Sequence, residues 1–393
     1  MNRGLMKRKY VIELLPILFG FFIMGFCDIV GFSSDYVQRA FDWSPAMTGF
    51  VPSMVFIWFL FLGVPVGNLM NLWGRKNTVL LGMAVTLVGT FLPLLVYNSV
   101  SCMAAYAFLG IGNTVLQVSL NPLLTNVVCN QRHLASSLTA GQVIKAISSF
   151  LGPEIVLLAV LHWGDDKWYY CFPILGCFTL LSAVWLVVTP IEREKIAGKM
   201  QMLSLKDTFS LLHDKTLFLL FLGIFFVVGL DVSTNFISSK LMIVRFGLTA
   251  EEAKLAPQLY FLSRTIGALL GTFLLVHISE KSYFRVNMLA CLASVCMLMW
   301  IENRILNLFA IAGIGFFASS VFSIIYSLSL RTRPDKANQI SGLVITAIAG
   351  GGIVTPLMGV AIDWLGITGG VWISLGCVLF LCFCAFSQKL KCW

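Results

Sequence analysis

The feature that most constrains the fold is a succession of apolar stretches, each about 20 residues or longer and separated by short polar segments. Charged residues make up only 11% of the 393 residues, whereas soluble proteins carry about 25%. The sequence therefore predicts an all-α membrane protein that crosses the bilayer many times. The predicted spans, numbered 1 to 12 in chain order, cover residues 11–33, 47–70, 77–97, 102–128, 134–161, 168–190, 216–242, 256–277, 283–301, 304–330, 338–362 and 369–388.

The polar connection at 191–215 divides the twelve spans into two sets of six. We expect an N-terminal six-helix bundle over residues 1–190 and a C-terminal one over 216–393, joined by a cytoplasmic linker. The loops on the side of both termini contain 19 lysine and arginine residues, and the opposite loops contain six. Because basic loops stay in the cytoplasm, both termini are predicted to be cytoplasmic. The net charge of +9 thus serves membrane topology and does not indicate nucleic-acid binding.

The two halves of the chain also repeat each other in sequence. Asp28 in span 1 and Asp231 in span 7 lie 203 residues apart, as do two Gly-Ile-Gly triplets in spans 4 and 10. The stretch that begins at Gly141 in span 5 recurs at Gly342 in span 11, 201 residues later. Parallel six-span repeats are an architecture of secondary transporters, in which the substrate site lies near the bilayer midplane. The repeat therefore favours a transporter over a receptor or a structural protein.

Polar side chains within the apolar spans are the candidates for a transport site. Intramembrane ionisable residues usually mark a substrate or ion path, because burying a charge in a bilayer is costly. A carboxyl group in a surrounding of low dielectric holds a proton more readily, so it can couple transport to a proton. The alternative is that these groups form hydrogen bonds and salt bridges that only hold the bundle together. The candidates for substrate binding are Asp28 in span 1, Asn113, Gln117 and Asn121 in span 4, Gln142 and Lys145 in span 5, and Asp231 and Asn235 in span 7.

Three of these candidates are charged. Asp28 and Asp231 are also the candidates for proton coupling. Lys145 lies near the middle of span 5, where a cation must face a cavity or a partner and not lipid. Its counterpart in the repeated stretch of span 11 is Thr346. Four aromatic residues are candidates for stacking on a sugar ring, although packing is the commoner role for each of them: Trp58, Phe236, Tyr260 and Tyr326.

A short basic turn joins spans 2 and 3. Its sequence is GNLMNLWGRK at 67–76, and its glycines allow close helix approach, while its two basic residues can bind carbonyl groups at a helix end. The turn resembles the signature loop G-x-x-x-D-x-x-G-R-K of the major facilitator superfamily, with Asn71 in place of the acid. A gating or conformational role is expected for this turn and for an arginine in span 8; the residues are Gly67, Asn71, Gly74, Arg75, Lys76 and Arg264.

Within that superfamily, the sequence resembles the fucose permease and glucose/galactose transporter branch. The resemblance covers most of the chain, and it rests on segments at 38–41, 110–124, 135–153, 229–233, 263–267 and 341–363. It implies a twelve-helix fold of two pseudo-symmetric bundles, alternating access between them, sugar transport and coupling to protons.

Several residues depart from the pattern of that branch. Gln117 stands where the branch has the proton-linked acid of span 4, and Gly31 aligns with its acid of span 1. Gln142 keeps the sugar-contacting amide of the branch, whereas Lys145 replaces an asparagine. Asp231 matches the acid of the glucose/galactose members. The resemblance thus implies that coupling uses other acids, and the two intramembrane aspartates are the candidates.

The sequence predicts a secondary active transporter that imports a monosaccharide or sugar derivative, driven by a proton or sodium gradient. A gradient must supply the energy because no Walker-type nucleotide-binding motif is present. Two alternatives stay open. One is an anionic sugar, such as a sialic or uronic acid, bound through Lys145. The other is export of a drug or metabolite, against which the polar stripe of span 4 argues.

Other functional classes lack support in the sequence. No catalytic constellation and no metal-ligand spacing is found, so neither an enzyme nor a metal or cofactor site is expected. Most of the 11 cysteines lie inside apolar spans, where they are expected to be small buried hydrophobes. We expect a monomer in the inner membrane of a bacterial cell, with a sugar, a coupling ion and lipid as its partners.

Overall fold

A computed structural model describes residues 3–43, 50–128, 134–194, 205–253 and 255–387. Within these ranges the regular structure is helical, and no strand occurs. A bilayer offers no partners for backbone N–H and C=O groups, so long apolar segments satisfy them within a helix. The α-helices are α1 (Arg3–Met24), α2 (Ile29–Phe41), α3 (Phe50–Trp73), α4 (Arg75–Leu95), α5 (Ser99–Val127), α6 (Leu134–Trp163), α7 (Cys171–Val188), α8 (Leu205–Ser210), α9 (Lys215–Phe246), α10 (Ala250–Ala253), α11 (Leu255–His277), α12 (Glu280–Trp300), α13 (Arg304–Ala318), α14 (Val321–Thr332), α15 (Ala337–Thr346), α16 (Gly350–Leu365) and α17 (Ile367–Phe386).

Eleven stretches of the described helices are long and apolar enough to cross a membrane, and they coincide with predicted spans 2 to 12. The first predicted span falls on α1 and α2, which a 3-10 turn at Gly25–Asp28 connects. A second 3-10 turn, at Ala347–Ala349, interrupts span 11 between α15 and α16. The predicted all-helical membrane fold is therefore confirmed, while neither interruption was predicted.

Side-chain caps fix where several of the helices begin. The side chains of Asn98, Asp214, Ser279 and Asn303 each accept a hydrogen bond from a backbone N–H in the first turn of the helix that follows. The long helix α9 ends at Gly247, whose φ of 65° is left-handed and therefore favours glycine. These residues occupy the short loops, so the polar positions of the sequence set the ends of the apolar helices.

Two compact units can be distinguished in the chain. Unit 1 comprises Met1–Gln131, Gly141–Thr208 and Asp335–Thr346, and unit 2 comprises Arg132–Ala140, Phe209–Pro334 and Ala347–Trp393. The boundary between six-helix bundles in the 191–215 connection stays a prediction, and residues 195–204 of that connection lie outside the described residues.

Helix α5 lies at the centre of unit 1, and most of its side chains are buried. It packs against α1, α3, α4 and α15. Small residues allow this packing, because a Cβ at Gly110 would lie 2.5 Å from the carbonyl oxygen of Val55 in α3. The amides of span 4 are therefore held on a helix that has packed neighbours on several sides.

In unit 2, helix α9 packs against α14, α16 and α17. Helix α11 packs against α13. A Cβ at Gly315 of α13 would lie 2.6 Å from the carbonyl oxygen of Tyr260, so this glycine allows α13 to approach α11 closely. The packing positions Tyr260 and the residues that follow it beside α9.

Candidate functional site

The carboxylate of Asp28 lies at the end of the 3-10 turn in unit 1. Gly25, Phe26 and Cys27 of the turn are buried, whereas Asp28 is exposed. Its Oδ2 accepts a hydrogen bond of 2.5 Å from the hydroxyl of Ser149, and its Oδ1 accepts one of 3.3 Å from the Cys27 thiol. Among the described residues, no lysine or arginine forms an ion pair with Asp28. The carboxylate is therefore held by neutral donors.

Helix α6 packs directly against this turn. A Cβ at Gly25 would lie 2.5 Å from the carbonyl oxygen of Lys145 and 2.6 Å from the Cβ of Ser148. The hydroxyl of Ser149 is also 3.0 Å from that same Lys145 oxygen. Only glycine permits so close an approach at this position, so the aspartate and the lysine-bearing turn of α6 come together here.

Cys27 connects helix α5 to Asp28 and to the Lys145 turn of α6. Its sulfur accepts a hydrogen bond of 3.0 Å from the side-chain amide of Asn113 on α5, and its thiol interacts electrostatically with both Asp28 and Lys145. The structure thus brings together three of the predicted site residues, Asp28, Asn113 and Lys145, around a buried thiol. Sequence analysis missed Cys27 and Ser149 as members of the group. The available signals were that Cys27 precedes Asp28 and that Ser149 lies one helical turn after Lys145.

Several polar atoms in unit 1 are buried without a hydrogen-bond partner among the described residues. They are Nε1 of Trp58, Oδ1 of Asn113, Oδ1 of Asn121 and Nε2 of Gln142. Leaving a buried donor or acceptor unsatisfied costs about 1–3 kcal/mol, so such atoms suit a ligand that brings hydroxyl groups. Unit 1 can therefore offer amide and indole groups to a sugar.

The three amides of the α5 stripe differ in accessibility. Asn113 and Gln117 are 3% and 5% exposed, whereas Asn121 is fully buried. The side-chain amide of Asn121 donates to the backbone oxygen of Gln117 at 2.7 Å, one turn earlier in the same helix. In this conformation Asn121 is therefore the most buried of the three amides.

In unit 2 the carboxylate of Asp231 has a different set of partners. Its Oδ2 forms an ion pair of 3.0 Å with Nη2 of Arg264, and its Oδ1 accepts a short hydrogen bond from the hydroxyl of Tyr260. The side chains of Asp231 and Arg264 are 24% and 41% exposed, and Tyr260 is buried. Tyr260 and Arg264 lie one turn apart on α11, so one face of that helix binds the acid.

The remaining candidate of unit 2 and the aromatic candidates lie as follows. Asn235 is half-buried one turn after the acid on α9, and its backbone oxygen accepts from Ser238 at 2.8 Å. Trp58 is half-buried against Gly110, and Tyr326 is buried and stacks on Phe322. The side chain of Phe236 lies outside the described residues.

The basic turn between α3 and α4 contains a buried arginine. Arg75 is 8% exposed, and its guanidinium donates to three oxygens near the C-terminal end of α5 and to the side-chain oxygen of Asn338 on α15 at 2.8 Å. The three oxygens are the Pro122 carbonyl at 2.9 Å, the Thr125 hydroxyl at 2.8 Å and the Asn126 amide oxygen at 2.5 Å. The prediction that the basic residues of this turn bind carbonyl groups is confirmed for Arg75, and also for Lys76, which donates to Val187 and Thr189 at the end of α7.

Asn71, which replaces the usual acid of the turn, pairs with α15 within unit 1. Its side-chain oxygen accepts a hydrogen bond of 2.9 Å from the amide of Asn338, the same residue that binds Arg75. Gly67 lies one turn before Asn71, and a Cβ there would lie 2.7 Å from the Asn338 carbonyl oxygen. Gly74 has a φ of 81° and lies against Arg193, whose guanidinium donates to the Leu72 carbonyl. Gly67, Asn71 and Arg75 therefore lie at one close crossing with α15, whereas Gly74 lies beside Arg193.

The family can be decided from the sequence as a whole. Residues 15–356 match the profile described as the Major Facilitator Superfamily, and this range is most of the chain. The chain belongs to the Major Facilitator Superfamily. The expected superfamily is thereby confirmed, and membership identifies the protein as a multi-pass membrane transporter and not an enzyme.

Relatives of this superfamily member align along nearly its full length. The chain is 23% identical to the "Glucose/galactose transporter" of Brucella abortus, with 96% of this chain and 94% of the relative covered. It is 26% identical to a Helicobacter pylori protein whose name assigns it provisionally to the same sugars, with 92% of both chains covered.

Solved structures of the superfamily share the fold. The Escherichia coli fucose:proton symporter FucP superposes with a TM-score of 0.84 at 18% identity, covering 96% of this chain and 98% of that one. The proton:xylose symporter XylE superposes with a TM-score of 0.72 at 13% identity, covering 96% and 95%. The major facilitator fold predicted from the sequence is confirmed.

Proposed function

We propose that this superfamily member imports a monosaccharide or sugar derivative by alternating access, coupled to an inward cation gradient, with the proton as the coupling ion. The observation that carries the proposal is the alignment, over more than nine-tenths of both chains, with relatives named as glucose/galactose transporters. The two fucose and xylose symporters of the same fold support the proton as the ion.

Polar groups within each unit are proposed as sugar-binding groups. The unpartnered amide atoms of Asn113 and Gln142 suit sugar hydroxyls, which donate and accept hydrogen bonds. Gln117 and Asn121 continue the same stripe, and Asn235 lies beside the acid of α9. Lys145 can donate to a ring or hydroxyl oxygen. Carboxylates are also strong acceptors for hydroxyls, so the aspartate of each unit is also proposed as a sugar-binding group.

Proton coupling is proposed for Asp28 and Asp231, and the two differ in mechanism. Asp28 is exposed and held by neutral donors, so it can take up a proton without breaking an ion pair. Protonation of Asp231 would weaken its ion pair and free Arg264 to bind a substrate oxygen. A gating role is proposed for the Gly67–Lys76 turn and for Arg264, supported by the dense hydrogen bonding around Arg75.

The test is transport by the purified full chain in proteoliposomes. Radiolabelled D-glucose, D-galactose, L-fucose and D-xylose are offered with a proton gradient, with a sodium gradient and with neither. We expect at least one sugar to accumulate only under the proton gradient. Equilibration without accumulation under either gradient would contradict coupling, and no uptake of any sugar in the panel would contradict the proposed substrate class.

One alternative substrate class is favoured by a specific observation. The ammonium of Lys145 has no carboxylate within ion-pair distance among the described residues. A half-buried cation without such a partner can bind the carboxylate of a sialic or uronic acid. Competition of labelled neutral sugar by glucuronate and by N-acetylneuraminate distinguishes the two classes. Export of a drug or metabolite has no such support, because buried amides are poor partners for apolar compounds.

We also propose that the protein acts as a monomer in the inner membrane of a bacterial cell, with both termini in the cytoplasm. The asymmetry of basic residues between the two sets of loops supports the orientation. Alkaline phosphatase and green fluorescent protein fused to the C-terminus test it, since only the second is active in the cytoplasm.

A further inference from the structure

We infer that Ser149 is the positioning residue that transmits the protonation state of Asp28 to the turn of α6 that carries Gln142 and Lys145. The inference rests on the proposed function, since it assigns how the coupling proton acts on the proposed sugar site. Its structural basis is the Ser149 hydroxyl, which contacts both the Asp28 carboxylate and the backbone carbonyl of Lys145 in α6.

The hydroxyl of Ser149 has one proton and two acceptors in reach. One is Oδ2 of Asp28 at 2.5 Å, and the other is the carbonyl oxygen of Lys145 at 3.0 Å, one helical turn earlier in α6. A hydroxyl donates one hydrogen bond at a time, so the shorter contact takes the proton while Asp28 is ionised. The Lys145 carbonyl then accepts only a weak hydrogen bond from Ser149.

Protonation of Asp28 reverses this preference. A protonated carboxyl group can donate to the Ser149 oxygen, and the serine is then free to donate fully to the Lys145 carbonyl. Serine bonds to the carbonyl one turn earlier bend a helix slightly. Because a Cβ at Gly25 would lie only 2.5 Å from the same carbonyl oxygen, the 3-10 turn and this carbonyl cannot move independently. A proton on Asp28 is thereby converted into a change in the turn that positions Gln142 and Lys145.

The other groups around Asp28 do not offer the same link. Lys145 itself acts through its charge, and the Cys27 thiol donates to the other carboxylate oxygen at 3.3 Å. Asn113 reaches the carboxylate only through the Cys27 sulfur. Ser149 is the described side chain that bonds both to the carboxylate and to the backbone of α6.

The first test observes the proton directly and needs no sugar. Infrared difference titration of the purified full chain follows the carboxyl band of Asp28, which is identified by its loss in Asp28→Asn. In Ser149→Ala the carboxylate loses a donor to its ionised form, so the band is expected to disappear at a pH higher by about 0.5–1 unit. Ser149→Thr, which keeps the hydroxyl, is expected to restore the wild-type midpoint.

Ser148→Ala is the matched control for that titration. Ser148 is the adjacent residue of the same helix; its side chain is buried, and its hydroxyl has no hydrogen-bond partner among the described residues. We expect no shift in this variant. An unchanged midpoint in Ser149→Ala, or a wild-type protein with no Asp28 carboxyl band over the accessible pH range, would overturn the inference.

The second test measures the transmission to α6. The Kd values of D-galactose and D-glucose are compared at pH values above and below the Asp28 midpoint. Coupling between two sites typically changes affinity about 5- to 150-fold, and in Ser149→Ala we expect the ratio of the two Kd values to fall to about 1. A ratio equal to that of the wild type would overturn transmission through Ser149. Absence of sugar binding in the wild type would contradict the proposed function instead, while the infrared titration still decides the link to Asp28.

Discussion

The two intramembrane aspartates occupy equivalent places in the sequence repeat and have opposite environments. Asp28 ends a 3-10 turn, is exposed and accepts hydrogen bonds from a hydroxyl and a thiol. Asp231 lies within the unbroken helix α9, where an arginine and a buried tyrosine bind both of its oxygens. The duplication thus conserves the position of an acid while the partners of that acid differ.

This difference has a physical consequence for proton coupling. A nearby cation favours the ionised carboxylate, whereas neutral donors leave both protonation states accessible. An exposed carboxylate at membrane depth must also meet water, since facing lipid would be too costly. We therefore expect Asp28 to contribute more to proton coupling than Asp231, whose charge pair also stabilises the helices and contacts the substrate.

Removing each acid in turn is the strongest way to break the comparison. In proteoliposomes, Asp28→Asn is expected to lower gradient-driven sugar uptake about 100-fold, equivalent to about 2.7 kcal/mol. Sugar exchange measured in the absence of a gradient is expected to be unchanged. Asp231→Asn is expected to retain gradient-driven uptake to within about tenfold. Equal losses in the two variants would contradict this difference and show that the two acids contribute equally to coupling.

Breaking the ion pair of unit 2 tests the assigned charge pair. Arg264→Gln leaves Asp231 without its cation, and we expect the free energy of unfolding in detergent to fall by about 2 kcal/mol. Fully buried pairs lose more, but these side chains are 41% and 24% exposed and therefore partly screened.

The double variant Arg264→Gln with Asp231→Asn removes both charges. It is expected to recover at least half of the lost stability, because no uncompensated charge remains. Asp28→Asn serves as the matched control, because Asp28 forms no ion pair among the described residues. Its stability is expected to fall by only about 1 kcal/mol, since the amide oxygen of asparagine still accepts from Ser149 but without the charge. A loss in this control as large as in Arg264→Gln would remove the distinction between the two acids.

A substitution of Lys145 tests the comparison through the affinity for the substrate. It is the cation of unit 1 near Asp28, yet it forms no ion pair with that acid. In Lys145→Asn we expect the Kd of the sugar to rise about tenfold, which is a loss of about 1.4 kcal/mol in binding free energy. The loss of affinity is expected to be larger for acidic competitors. Isothermal titration with glucuronate and with D-galactose measures both. Unchanged affinity and unchanged pH dependence would reduce Lys145 to a structural role.

Much of the fold could be predicted from the sequence because hydropathy and charge act locally. Eleven of the twelve predicted spans recur as helices that meet the length and composition of membrane spans. The 3-10 turn at Gly25–Asp28 could not be predicted, because the surrounding residues are apolar and contain no helix breaker apart from glycine.

The sequence predicted which residues belong to the candidate site, but not which of them contact one another. Asp231 and Arg264 were both recognised as costly charges, but they lie 33 residues apart on different helices, whose relative rotation depends on packing. That packing depends on contacts such as Gly315 against Tyr260, which no local pattern reveals. Ser149 escaped notice for a related reason, since a serine in an apolar helix is ordinary until its partner across the interface is known.

The smallest expected effect compares the hydroxyl groups of two buried tyrosines. Tyr260 donates to the Asp231 carboxylate, whereas the Tyr106 hydroxyl pairs with the neutral hydroxyl of Ser33 at 2.6 Å. Hydrogen bonds to charged groups contribute about 1.5–3 kcal/mol and neutral ones about 0.5–1.5 kcal/mol. Denaturant unfolding of Tyr260→Phe should therefore show a stability loss about 1 kcal/mol larger than that of the matched control Tyr106→Phe. Equal losses would mean that Asp231 is protonated in the resting protein, and both acids would then be able to carry the proton.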